Sequence, residues 1–250
     1  MRTPDTDQPH PARVYDYLLG GACNFAADRA FAERLIAAMP GAPTAAKINR
    51  AFLRRAVRAA LDLGVTQFLD LGSGIPTVGN THEAAPGAKV VYVDHDPIAV
   101  AHSRDVLAEV PDARIVAADV RDGEAVLAGA RELLDFDRPV AVLAVAILHF
   151  LDDAAAALAP YRSVMAPGSV LAMTHATRDA ENTGVDEARR LYSGSGMPSY
   201  ARTKAEVSAL FEGMSLLPPG VVWTNQWRPE TADETDPTSS VAYGAVGHLA

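Results

Sequence analysis

From Phe68 onward, short apolar runs alternate with longer segments of mixed polarity, the pattern of a parallel sheet covered by helices. The runs TQFLDL, AKVVYVD, ARIVAADV, PVAVLAVAI and GSVLAMTHA read as strands. They are apolar at successive positions, as strands buried on both faces of a parallel sheet must be. Between them, PIAVAHSRDVLAEV and DDAAAALAPYRSVM carry apolar residues at helical spacing. Pro97 opens the first of these, where its missing N–H leaves nothing unsatisfied. Further on, MSLLPPGVVWT and SSVAYGAVGHLA predict two more strands, the last with no helix after it, so an antiparallel closing pair is expected. TADETDPTSS between them reads as a polar loop.

The chain before the sheet has a different texture. PARVYDYLLGG, AADRAFAERLIAAM and TAAKINRAFLRRAVRAALDLG all show helical periodicity. The expected organisation is a helical extension over residues 1–64, placed to act as a lid or substrate cap, followed by a sheet domain over residues 65–250. The expected fold class is α/β: a doubly wound, mostly parallel, seven-stranded Rossmann-like sheet with an antiparallel last strand.

Composition narrows the function classes. A length of 250 residues and 49% hydrophobic content suit one large domain with a full core, or one domain with a modest appendage. No apolar segment reaches the ~18 to 20 residues that span a bilayer. The opening MRTPDTDQPH has no apolar core of a secretory signal, so a cytoplasmic protein is expected. The single cysteine, Cys23, allows no internal disulfide and no cysteine-based zinc site. A net charge of −9 opposes adhesion to nucleic acid and suits small neutral or cationic ligands.

The candidate chemistry begins at FLDLGSGIPT, residues 68–77, where a strand breaks into a glycine turn. In the dinucleotide fingerprint G-x-G-x-x-G, the third glycine permits close helix packing and the exposed helix start holds a pyrophosphate. Here Thr77 stands in the third glycine's place and Pro76 removes one N–H donor. The turn allows close approach but is poor at binding phosphate. Asp94 and Asp119 end the next two strands, on the same sheet edge as the turn, so Asp70, Asp94 and Asp119 are expected to border one crevice. A carboxylate at Asp94 can accept both hydroxyls of a ribose, and one at Asp119 the exocyclic amine of an adenine. Three acids around an adenosine favour a cationic tail.

Asp-x-Gly-x-Gly at 70–74, with the acids ending the second and third strands, resembles the class I S-adenosylmethionine-dependent methyltransferases over about residues 65–250. ARVYDYLLGG, NFAADR, NRAFLRRAVR, FLDLGSGIPT, NTHEAA and VVYVDHDPIAVAHSR resemble, across nearly the whole chain, a bacterial S-adenosyl methyltransferase family first catalogued as a domain of unknown function. The resemblance implies S-adenosyl-L-methionine as cofactor but names no substrate. It implies cofactor contacts from Asp70 to the ammonium and from Gly72, Ser73 and Gly74 to the methionine part. Asp94, with His95 beside it, would take the ribose, and Asp119 with the Val120 N–H the adenine.

Because methyl transfer disperses the sulfonium charge, anions touching the sulfur would favour the starting state over the transition state. An apolar wall from PVAVLAVAILHF suits the methyl instead. His149, just past that strand, is the candidate general base, since an imidazole can accept a proton near neutral pH; His175 is a second candidate. Tyr15, Tyr17 and Asn24 are candidate lid residues that would exclude water and shape the acceptor pocket. Arg50, Arg54, Arg55 and Arg58 follow helical spacing and read as a solvated face. Trp223 and Trp227 would wall the pocket or bury an interface. Neither an Asn-Pro-Pro-Tyr type signature nor a Pro-Cys pair marks the fourth strand, and no Asp-Asp-Asn set for magnesium is evident, so no metal and no nucleic-acid partner are expected. The leading expectation is methyl transfer to an oxygen or nitrogen of a small molecule. The alternatives are a cofactor-binding sensor without turnover and a nicotinamide-dependent reductase. The sequence leaves the oligomeric state open.

Overall fold

The computed structural model describes residues 5–76, 79–181, 184–230 and 236–250. Thr77 and positions 231–235 of the expected polar loop lie outside the described residues. Three helices come first: α1 (Pro11–Leu18), α2 (Ala26–Ala38) and α3 (Ala42–Asp62). The sheet region then alternates β1 (Gln67–Leu71), α4 (Thr81–Ala84), β2 (Lys89–Asp94), α5 (Pro97–Val106), β3 (Ala113–Ala117), α6 (Gly123–Ala130) and β4 (Ala141–Ala144). It continues through α7 (Ala154–Ser163), β5 (Val170–Ala176), α8 (Val185–Gly194), α9 (Lys204–Ala209), β6 (Ser215–Leu216), β7 (Val222–Trp223) and β8 (Ala242–His248).

Among the described residues the sheet has eight strands in the order β3-β2-β1-β4-β5-β8-β6, with β7 also paired to β8. The β1 to β5 pairings are parallel, whereas β8 runs antiparallel to β5, β6 and β7. The expected count of seven is corrected to eight because MSLLPPGVVWT forms two short strands. Both lie along one edge of β8, Leu216 opposite Gly247 and Val222 opposite Gly244. Pro218 and Pro219 between them have no N–H to give to a ladder, so the strand is interrupted there.

Burial alternates along the strands as the pleat requires. Phe68, Val90 and Tyr92 join the core under α3, while Leu69, Leu71, Val91 and Val93 join the core under α6, α7 and α9. At the sheet edge β3 departs from the expectation of burial on both faces: only Ala113 is buried there. The fourth strand is also shorter than PVAVLAVAI suggests. It stops at Ala144, and Ala146 adopts a left-handed φ of 59°, a conformation uncommon for a residue with a Cβ. Thr174 Oγ1 accepts the Ala146 N–H at 2.9 Å and holds that turn.

Within the helical region, Phe52, Leu53, Ala56, Val57 and Ala60 of α3 pack into the sheet core, making α3 continuous with the sheet. In contrast, α1 and α2 pack with α8 in a third apolar cluster that includes Val14, Phe31, Leu35 and Val185. A buried polar hub fastens α1 to α2. Asp28, fully buried, accepts from the His10 N–H at 2.9 Å, the Phe25 N–H at 2.8 Å and Arg13 Nε at 3.2 Å. Arg13 is itself buried, so without Asp28 its Nε–H would be stranded away from water.

Candidate functional site

The carboxyl ends of β1 and β4 flank the point where the strand order reverses, the place where open α/β sheets take ligands. A cavity of about 520 Å³ opens there, within the ~300 to 1,000 Å³ range of small-molecule sites. Asp70, Gly72, Ser73, Gly74, Asp94, His95, Asp119, Val120 and His149 all line it, as does Tyr15. The structure therefore gathers on one cavity every residue expected to hold the cofactor.

The glycine turn is shaped by contacts within the protein itself. Gly72 and Gly74 have φ of +63° and +68°, which residues with a Cβ rarely adopt. A Cβ on Gly72 would lie 2.5 Å from Ile147 Cγ1, so this glycine lets the turn pack against the segment after β4. A Cβ on Gly74 would meet only Ala12, at 3.8 Å. Ser73 N–H donates to the Val93 carbonyl at 3.0 Å, and Gly74 N–H to Asp94 Oδ2 at 2.8 Å. With both N–H groups engaged and Pro76 lacking one, these positions offer a pyrophosphate nothing, which disfavours a nicotinamide dinucleotide.

The three carboxylates differ in surroundings. Asp70 is buried and accepts from Thr81 Oγ1 at 2.7 Å. Burial pushes its pKa up to about 6, against the opposing pull of that hydrogen bond and of Arg50. Asp94 is equally buried, and its two oxygens accept the Gly74 and Asp96 N–H groups, both at 2.8 Å. Each oxygen keeps a lone pair for a further donor. Asp119 is only partly buried and lies two residues past the end of β3. Its oxygens accept from Arg121 Nε at 2.9 Å and Nη2 at 2.5 Å, and these hydrogen bonds hold its pKa down near 2. Arg121 also lines the cavity, and the Val120 carbonyl beside it accepts from Tyr161 Oη at 2.6 Å.

His149 sits in a single 3-10 turn, Leu148–Phe150, beyond β4. Its Nδ1 is buried without a hydrogen-bond partner among the described residues. Burial, with smaller contributions from His175 and Arg202, lowers its pKa to about 3, so the imidazole is neutral at physiological pH. His175 is fully buried and pinned at both ends: Nδ1 lies 2.8 Å from the Ala176 carbonyl and Nε2 is 2.6 Å from Arg202 Nη1. It does not line the cavity.

The lid candidates separate. Tyr15 faces the cavity, its Oη donating to the Ala46 carbonyl and accepting from Asn49 Nδ2, both at 3.0 Å. Tyr17 and Asn24 lie outside the cavity lining. Tyr17 packs in the α1–α2–α8 cluster. Asn24 Nδ2 donates to Asp16 Oδ2 and the Gly21 carbonyl, both at 2.9 Å, which ties the turn between α1 and α2. Trp223 and Trp227 are also absent from the lining. Trp223 packs at a tilt against Tyr243, and Trp227 meets Phe52 edge to face.

Sequence reasoning missed three contributors. His10, Pro11 and Ala12 bring the start of α1 over the glycine turn, and His10 Nδ1 lies 3.2 Å from Asp96 Oδ2 at the cap of α5. Asn49 and Arg50 line the cavity from α3, correcting the reading of Arg50 as solvated, while Arg54 and Arg58 are exposed as expected. Arg55 turns inward to donate to the Thr224 and Trp227 carbonyls, both at 2.7 Å. Lastly, α8 contributes Val185, Ala188, Arg189 and Tyr192. Their i, i+3, i+4, i+7 spacing was the available signal.

The S-adenosyl methyltransferase family model matches residues 1–250. A Thermobifida fusca YX protein provisionally assigned to the methyltransferases is 40% identical, with a TM-score of 0.93 over 98% of this chain and 96% of its own. A DUF574 family protein from Streptomyces avermitilis MA-4680 is 36% identical, with a TM-score of 0.93 over 98% and 99%. The Burkholderia thailandensis 1,6-didemethyltoxoflavin-N1-methyltransferase is 17% identical, with a TM-score of 0.51 over 80% and 79%, a likeness of fold. No curated protein matches the chain.

Proposed function

The chain belongs to the S-adenosyl methyltransferase family, and from that premise we propose that it methylates an oxygen or nitrogen of a small, largely apolar molecule held between the glycine turn and α8. One observation carries this reading: a single cavity joins the three-carboxylate rim to a wall of apolar side chains. The residues present fit the cofactor. Besides the left-handed glycines, Ser73 Oγ on the cavity lining is a buried polar atom without a partner among the described residues. No helix among the described residues is long and apolar enough to cross a membrane.

When bound, S-adenosylmethionine supplies an electrophilic methyl on a sulfonium sulfur. Asp94 would accept the ribose hydroxyls with the lone pairs its backbone contacts leave free. Asp119 and Val120 would read the adenine once Arg121 yields one carboxylate oxygen. Asp70 would take the ammonium, and Gly72 to Gly74 would flank the methionine part. His95, exposed at the rim and edge-on to His10 at 5.4 Å, would close the adenosine side.

For the acceptor, Val185, Ala188 and Tyr192 of α8 line the same cavity as Val145, Ala146 and Ile147, which follow β4. Alignment of acceptor and methyl in such a dry site can supply ~7 to 11 kcal/mol through effective molarity. A neutral imidazole with a pKa near 3 is a weak base at neutral pH. His149 is therefore assigned to orienting the acceptor by a hydrogen bond, in place of the general-base role expected from its type. The helical region 1–64 would act as a cap through α1 and α2, with α3 shared between cap and sheet; Tyr15 would shape the pocket, and Tyr17 and Asn24 would hold the cap together.

Incubation with methyl-labelled S-adenosylmethionine and cell extract tests the reading. It predicts label in a low-molecular-mass product. Label appearing only in macromolecules, or cofactor bound with no transfer at all, overturns it, the latter in favour of a sensor.

A further inference from the structure

Arg189 and Arg190 are neighbours on α8, each three residues after an acid of the same helix, yet only one of them is satisfied by it. Arg190 donates to Glu187 from Nε at 2.9 Å and pairs with it through Nη2 at 2.6 Å, out in solvent. Arg189 reaches the exposed Asp186 through Nη1 at 3.3 Å, and its Nε is buried without a partner among the described residues. A single exposed ion pair stabilises little, whereas an unpaired buried N–H is costly. Arg189 also lines the cavity, alongside Val185, Ala188 and Tyr192 of the same helix.

The surroundings set the character of a ligand for it. Among the described residues the acids on the lining are Asp70, Asp94 and Asp119, all at or near the ends of β1, β2 and β3. Arg121 is paired with Asp119 and Arg50 acts on Asp70, so each answers to an acid of that rim. Arg189 stands instead among apolar walls, with Leu35 and Met39 also on the lining. The Tyr192 ring continues the wall, 5.6 Å from Phe150, which in turn lies 4.3 Å from the His149 ring.

A ligand that answers both the cation and the walls is amphipathic, an anion joined to an apolar body. A carboxylate matches the paired N–H donors of a guanidinium, and one guanidinium matches its single charge better than the double charge of a phosphate monoester. The Arg189 side chain is 40% exposed, which puts it at the mouth of the cavity, where a bound anion keeps part of its water. The net charge of −9 opposes anions at long range, but salt screens exposed charges beyond ~8 to 10 Å, so the local cation decides at the mouth.

We propose that the methyl acceptor is a carboxylic acid with an apolar body and that Arg189 selects it, binding the carboxylate while the body lies along Val185, Ala188 and Tyr192 toward His149. The carboxylate is a handle, and the methyl goes to another oxygen or a nitrogen of the body. This rests on the reading of the cavity as a methyl-transfer site.

Calorimetry on protein saturated with S-adenosylhomocysteine compares benzoate, trans-cinnamate and 2-naphthoate with their primary amides. At least one acid should bind about fivefold or more tighter than its amide, Arg189→Met should remove that preference, and Arg189→Lys should keep part of it. S-adenosylhomocysteine itself should bind both variants within about twofold of wild type, since the carboxylate rim is a separate site, and thermal unfolding verifies that they are folded. No acid outbinding its amide, or a preference that survives Arg189→Met, overturns the assignment. The natural acceptor is then read from cell extract with methyl-labelled S-adenosylmethionine. The labelled product should be held by an anion exchanger at about pH 8 and released at about pH 3, where a carboxyl is largely protonated. A labelled small product that the exchanger never holds overturns the proposal. Acid preference at Arg189 with no transfer at all overturns the methyl-transfer reading and the acceptor role with it, a result distinct from transfer to a product that is not an acid.

Discussion

Asp94 Oδ2 accepts the Gly74 N–H at 2.8 Å, so the acid that ends β2 holds the glycine turn that follows β1. One carboxylate thus shapes the turn and, on our reading, binds the ribose. Asp94→Ala should weaken S-adenosylhomocysteine binding by ~1 to 3 kcal/mol, the scale of hydrogen bonds to a charged group. Asp94→Asn, which keeps one acceptor oxygen, should lose less. Calorimetry on the two folded variants checks the order, and equal or absent losses contradict the double role.

Asp70 gives a pH signature with opposite signs in the free and bound protein. Burial raises its pKa from 3.8 to about 6, so the native state holds the proton more tightly than the unfolded chain. Its contribution to stability is fully present below about pH 4 and is lost as pH rises through about 6. An ammonium reverses this by favouring the ionised form, so cofactor affinity should rise across that same interval. Asp70→Asn should stabilise the ligand-free protein near neutral pH by ~1 to 3 kcal/mol, weaken S-adenosylhomocysteine binding and flatten its pH dependence. Denaturant unfolding and calorimetry at about pH 5 and about pH 7.5 measure both effects.

The two glycines of the turn should respond unequally to alanine. Gly72→Ala combines a left-handed φ with a Cβ driven against Ile147, whereas Gly74→Ala meets the φ penalty with room to spare. The first should cost about 2 to 4 kcal/mol and the second about 1 to 2 kcal/mol. Thermal unfolding of the two variants side by side checks the difference.

Asp119 should discriminate adenine from hypoxanthine. Its carboxylate can accept from an exocyclic amine but repels a carbonyl oxygen at that position. Wild-type protein should bind S-adenosylhomocysteine roughly tenfold or more tighter than its inosyl counterpart, and Asp119→Asn should narrow that gap, since an amide can donate as well as accept. An unchanged gap removes Asp119 from base recognition.

How far these features were legible depended on whether a residue's environment follows from its spacing. The inner strands β1, β2 and β5 could be read because both faces are covered, which leaves continuous apolar runs. The split of MSLLPPGVVWT hinged on two prolines opposite β8, a pairing that one strand alone does not announce. Asp70, Asp94 and Asp119 could be placed together because strand ends in a parallel sheet share an edge.

The helical region was less transparent. Arg50 and Arg54 are one turn apart, yet the first lines a cavity and the second faces solvent. A solvated stripe and a cavity-lining stripe have the same period, and only the direction of α3 over the sheet separates them. Asn24 stands out as a lid candidate by its place in the helical extension, and His149 as a base by its type and its place after the fourth strand. Asn24 proves to tie a turn, and His149 sits in surroundings that suppress its basicity. Hydrogen-bond partners and desolvation depend on residues distant in sequence.

A crystal structure with S-adenosylhomocysteine tests the central claim most directly. The ligand is expected in the 520 Å³ cavity, with its ribose hydroxyls on Asp94, its adenine beside Asp119 and Val120, and its amino acid end beside Asp70. Density for the ligand elsewhere, or within the cavity with the ribose away from Asp94, would contradict it.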